Sequence, residues 1–122
     1  MKNAVNWFEI PASDFIRAKM FYETIFNYQM QTLDLGNLKM GFLPAEPQGV
    51  GGTVCWGEWY EPSSEGTLVY LNGNPDLTEV LSRVEKAGGK VIVPKRQISA
   101  EHGYMALFMD SEGNRVALQS QH

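Results

Sequence analysis

With 122 residues, 43% of them hydrophobic, the chain has the size of one domain and enough apolar side chains for a core that needs no covalent staple. A formal charge of −4, with scattered lysines and arginines, argues against a phosphate-backbone partner, and one cysteine with two histidines argues against an internal disulfide or a structural zinc cluster. No apolar run reaches the roughly 20 residues of a membrane helix and no secretory leader opens the sequence, so the cytoplasm is the expected location, with no membrane partner.

In chain order, a strand is expected from Val5 to Pro11. Ser13 or Asp14 then opens a helix whose apolar positions are Phe15, Ala18, Phe21, Tyr22, Ile25 and Phe26, and Asn27 ends it. Three strands follow, Tyr28 to Leu35, Leu38 to Leu43 and Gly52 to Glu58, with a turn at Leu35-Gly36-Asn37. The Pro- and Gly-rich stretch 44–52 reads as a loop, and the polar stretch 61–66 reads as a link between two halves. Thr67 to Asn72 is the next strand. Asn74 as N-cap, Pro75 in the first turn and Leu77, Val80, Leu81 and Val84 at helical spacing predict a helix from Pro75 to Ala87. Gly88-Gly89 ends that helix rather than opening one, so it is an exit and not a phosphate cradle. Strands from Lys90 to Val93, Tyr104 to Met109 and Asn114 to Ser120 complete the chain. The 110–114 segment between the last two is a tight hairpin loop, because Gly113 or Asn114 accepts a positive φ.

The two halves thus share one order: strand, helix, three strands. The expected fold class is α+β, one domain over residues 1–122 built from two tandem βαβββ units, about 1–60 and about 66–122, whose mixed sheets curl around a shared cavity.

The run Val5-Asn6-Trp7-Phe8-Glu9-Ile10-Pro11-Ala12-Ser13-Asp14 before a helix containing Phe21-Tyr22, and Asp110-Ser111-Glu112-Gly113-Asn114 before the last strand, resemble the vicinal oxygen chelate superfamily. That superfamily includes glyoxalase I, extradiol dioxygenases and bleomycin-resistance proteins. The resemblance implies a divalent metal held by the first and last strands of each unit. In this sequence those places fall on Trp7, Thr67, Ala117 and the apolar strand around Met40 to Phe42, so it supplies no metal ligand. Indole, methyl and thioether groups do not replace imidazole and carboxylate.

Strand alternation assigns faces. Phe8 and Ile10 suit the helix side, leaving Trp7 and Glu9 toward the cavity. Val116 and Leu118 face the helix while Arg115, Ala117 and Gln119 point inward. In the fifth strand Leu68 and Tyr70 are assigned to the helix side, and Thr67, Val69 and Leu71 to the cavity. The expected cavity lining is therefore Trp7, Glu9, Met40, Phe42, Thr67, Val69, Met105, Leu107, Ala117 and Gln119, with Trp56 extending an apolar cup for a flat ligand or simply filling a core.

Glu9 is the best catalytic candidate. It is either a carboxylate in an apolar enclosure, serving as general base or ligand anchor, or a half-solvated group paired with Gln119 or Arg115. His102 reads as a surface residue, His122 as a disordered or incidental chain end, and Cys55 as a small buried thiol. Glu58-Trp59-Tyr60-Glu61-Pro62 sets two large aromatics among charges and suggests a homodimer contact. Two functions follow. One is a small-molecule-binding protein of the glyoxalase, bleomycin-resistance and dioxygenase type that uses no metal cofactor. The other is a lyase or dioxygenase-like enzyme, with a metal at non-matching residues or with Glu9 as a metal-free base.

Overall fold

Strand β1 (Phe8–Pro11) ends where Asp14 starts a helix. Asp14 lies in extended backbone and its Oδ1 accepts from the Arg17 amide at 3.1 Å, satisfying one of the free donors of helix α1 (Phe15–Phe26). Asn27 closes the helix in the left-handed region, at φ 52°. The structure is a computed structural model that describes residues 2–122. After α1 come β2 (Thr32–Asp34), β3 (Leu38–Phe42) and β4 (Gly52–Gly57). The second half then runs β5 (Tyr70–Asn72), α2 (Thr78–Leu81), β6 (Lys90–Ser99), β7 (Gly103–Met109) and β8 (Arg115–Ser120).

The strands form two mixed four-stranded sheets, ordered β1-β4-β3-β2 and β5-β8-β7-β6. In each, the first strand pairs parallel to the last and the remaining pairs are antiparallel. A parallel pair needs a long crossover, which each half supplies with its helix and a hairpin. Ile10 pairs with Val54 and Leu71 with Leu118, and all four side chains enter one core with Phe21, Tyr22, Val80, Val84 and Phe108. The core crosses between halves: the Phe21 and Phe108 rings lie 5.9 Å apart.

The 110–114 loop fastens the second half to the first. Asp110 is buried and its carboxylate accepts from the Tyr22 hydroxyl at 2.7 Å and from the Glu112 and Asn114 amides and the Asn114 side chain. Burial raises the Asp110 pKa, against the pull of those donors. Glu112, its side chain 0% exposed, accepts from the Ser13 and Asp14 amides and pairs with Arg17 at 2.7 Å. Asn114 donates to the Pro11 carbonyl at 2.7 Å and accepts from the Ser63 amide at 3.0 Å, holding both β1 and the linker.

Several expectations require correction. The helix predicted from Pro75 to Ala87 is α-helical only over Thr78–Leu81. The Asn74 oxygen accepts from the Gln121 amide instead of capping, and the Asp76 carboxylate takes the Thr78 amide. Past Leu81 the Arg83 and Val84 amides reach back only three residues, while the Ser82 hydroxyl takes the Glu79 carbonyl. The apolar stripe still works, with Leu77, Val80 and Val84 buried. Strand β6 extends six residues beyond Val93, through Pro94. It is an edge strand with register shifts on both sides of Pro94, and such a strand tolerates a missing donor. Strands β2 and β5 are shorter than expected, at three residues each. The faces of β5 are also reversed: Leu71 is buried in the core and Tyr70 is half-exposed opposite Ala117. The chain end is tied down, with the His122 amide donating to the Pro75 carbonyl.

Candidate functional site

The register of the first sheet gathers its candidates on the face turned from the core. Glu9 pairs with Thr53, Phe42 with Thr53 and Met40 with Cys55, so these five side chains share that face. Trp7 extends it, 44% exposed and edge-on to Phe42 with centroids 6.2 Å apart. In the second sheet Leu107 and Tyr70 both stand opposite Ala117, and Met105 opposite Gln119. Trp7, Glu9, Met40 and Phe42 therefore lie on one sheet, and Met105, Leu107, Ala117 and Gln119 on the matching face of the other.

Glu9 is exposed rather than enclosed, so the apolar enclosure expected around it is absent. Its Oε1 accepts from the Tyr60 hydroxyl at 2.9 Å and its Oε2 from the Cys55 thiol at 3.6 Å, with Thr53 Oγ1 3.1 Å from that sulfur. The hydrogen bond to Glu9, then partial burial, raises the Tyr60 pKa. Burial above all pushes the Cys55 thiol up to about 11, so it stays protonated and donates. The pairing of Glu9 with Gln119 does not form. Gln119 donates to the His102 carbonyl at 2.8 Å and to Gln121 at 3.1 Å. Nor does Glu9 pair with Arg115, whose Nη2 reaches the Gly66 carbonyl at 3.3 Å. His102 is exposed and its ring meets Ser99 at 3.1 Å, in keeping with a surface role.

Thr67 and Val69 lie elsewhere. Alternation carried back from Tyr70 turns Val69 toward the core and puts Leu68, not Thr67, on the Ala117 face. Both residues line a cleft of about 330 Å³ between β1, the linker and the start of β8, together with Glu9, Pro11, Glu61, Ser63, Asn114 and Arg115. Tyr60, Glu61 and Ser63 were missed as site residues because an irregular linker has no periodicity to read. Only the polar, aromatic run itself marked them.

The sequence matches the Glyoxalase/Bleomycin resistance protein/Dioxygenase superfamily over residues 4–118. The chain belongs to that superfamily. No curated protein matches it. Among solved structures, a glyoxalase/bleomycin resistance protein from Albidiferax ferrireducens T118 is similar at 12% identity and TM-score 0.71, covering 98% of this chain and 100% of that one. A glyoxalase/bleomycin resistance protein/dioxygenase family enzyme from Burkholderia phytofirmans PsJN is 13% identical at TM-score 0.69, over 96% of this chain and 98% of that one. A glyoxalase I mutant from Zea mays is 15% identical at TM-score 0.68, over 94% of this chain and 45% of that one. At these identities the likeness is one of fold.

In this member of the superfamily the expected metal positions do not fit a divalent ion. Trp7 leans on Phe42, Ala117 is fully buried between Tyr70 and Leu107, and Thr67, the expected second-unit position, is not on the Ala117 face. None carries an imidazole or carboxylate. Among the described residues no three His, Cys, Asp or Glu side chains gather as a metal-holding group.

Proposed function

We propose that this glyoxalase-superfamily chain is a small-molecule-binding protein whose site works without the superfamily's usual metal ligands. One observation carries the reading: where those ligands are expected the chain presents Trp7 against Phe42, both partly exposed, beside a Glu9 carboxylate already engaged by Tyr60 and Cys55. An aromatic edge beside a fixed polar group suits recognition of a flat ligand with one or two hydrogen-bonding atoms. Glu9, with a donor on each oxygen, serves as anchor rather than base. The test joins elemental analysis of protein purified without chelator to a compound screen read by tryptophan fluorescence, with Trp7→Phe as control. Substoichiometric metal and a ligand response that vanishes in Trp7→Phe are expected. A stoichiometric transition metal, or a response unchanged in Trp7→Phe, overturns the reading.

The assembly we propose is a homodimer, supported by Trp59, which is 86% exposed at the end of β4. The compartment we propose is the cytoplasm, which suits the lone buried thiol of Cys55. No helix is long and apolar enough to cross a membrane.

A further inference from the structure

Three charged side chains, Glu9, Glu61 and Arg115, line the cleft between β1 and the linker, yet among the described residues no ion pair joins them. Arg115 is also under-satisfied. Its Nη2 makes one long bond to the Gly66 carbonyl, while its Nε is shut from solvent and has no partner. A guanidinium carries five N–H donors, and one long bond leaves its terminal nitrogens with donors to offer an oxygen in the cleft. Across the cleft Glu61 is exposed, and Glu9 keeps spare lone pairs because a carboxylate offers about four. Phe8 and Val69 supply an apolar wall.

From this arrangement we infer that the cleft is a subsite for a small zwitterion with an apolar body, of the α-amino-acid kind, its carboxylate received by Arg115 and its ammonium by Glu61 and Glu9. A plain anion would face two carboxylates, and a plain cation would face the guanidinium. A molecule carrying both charges meets each with its opposite. A volume of about 330 Å³ falls at the small end of the ligand-pocket range of roughly 300–1,000 Å³, which suits a ligand of that size. The inference rests on the small-molecule reading above and shares its Glu9 carboxylate, but it names a cleft that Trp7 does not line and a chemistry set by Arg115 and Glu61.

The test is amide-resolved NMR titration of the whole chain with leucine, with isopentylamine, which lacks the carboxylate, and with N-acetyl-leucine, which lacks the ammonium. Leucine is expected to shift the Glu9, Ser63, Thr67 and Arg115 amides, and each truncated compound to bind at least about tenfold more weakly, as loss of a charge-assisted hydrogen bond implies. Arg115→Gln is expected to erase the preference for leucine over isopentylamine, and Glu61→Gln to reduce that over N-acetyl-leucine. No shift with leucine or phenylalanine up to roughly 10 mM, or equal binding of the truncated compounds, overturns the inference. If Arg115→Gln does not fold, the three-compound comparison on the wild type still decides. A silent cleft alongside a Trp7-dependent response to other compounds removes only the zwitterion subsite. Silence in both removes the binding reading as well.

Discussion

Glu112 shows how a single residue holds two halves together. Burial works to raise its pKa, but Arg17, the Asp14 amide and Ser111 outweigh it and hold the carboxyl at about 2, below its ordinary 4.5. Because the folded value is the lower one, the ionised group contributes stability that is present above about 4.5 and is lost as pH falls from there toward 2. Glu112→Gln is expected to cost about 1–3 kcal/mol at pH 7 and to flatten the loss between pH 4.5 and 2. Urea denaturation at several pH values measures both, and an acid limb identical to the wild type's would refute the assignment. Cys55 makes a second residue-scale case. A buried thiol pushed up to about 11 is expected to resist iodoacetamide in the native protein at pH 8 and to react fully in denaturant. Comparable rates in the two states would contradict its burial.

At the scale of elements, the hairpin ends depend on backbone conformations that glycine adopts freely. Gly103 opens β7 at φ +73°, and a Cβ there would press on the Ser120 carbonyl and the Gln121 backbone. Gly113 turns the 110–114 loop at φ +89°, but its Cβ would meet open space. Gly113→Ala is therefore expected to cost about 1 kcal/mol for the backbone alone, and Gly103→Ala about 2–4 kcal/mol because the clash adds to that strain. Thermal melts of the two variants settle the order, and equal losses would mean that strand β8 yields to the added methyl. The two helices differ for a related reason. The Asp14 and Asn27 caps of α1 are local and survive folding, whereas the oxygen of Asn74 that should have capped α2 is drawn to Gln121, a residue 47 positions away.

At the scale of the whole molecule, two sheets with exposed outer strands and a large aromatic at one end set up the proposed dimer. Strand β2 is exposed along its length, and Trp59 lies beside the turn that contains Leu35, itself largely exposed. Light scattering at high micromolar concentration is expected to give twice the chain mass, and Trp59→Ser to shift the protein toward monomer. A wild-type monomer under those conditions would contradict the assembly.

What was legible in the sequence was whatever residue identity or local spacing decides. The α1 caps, the repeated strand-helix-strand order and the lack of metal-binding side chains at Trp7 and Ala117 all follow from neighbours in the chain or from which atoms a side chain carries. The faces of β5 were not legible, because Leu68, Val69, Tyr70 and Leu71 are all apolar and a period of two leaves no trace in such a run. Pairing with β8 chose for them, placing Leu71 beside Leu118 in the core and Tyr70 beside Ala117 on the other face. Glu9 was recognisable as a site residue, but its partner was not. Tyr60 and the cleft beside Arg115 depend on the irregular segment 58–66, which has no repeating pattern, and only the closure of the second half onto the first, through Asp110, Glu112 and Asn114, carries that segment across β1.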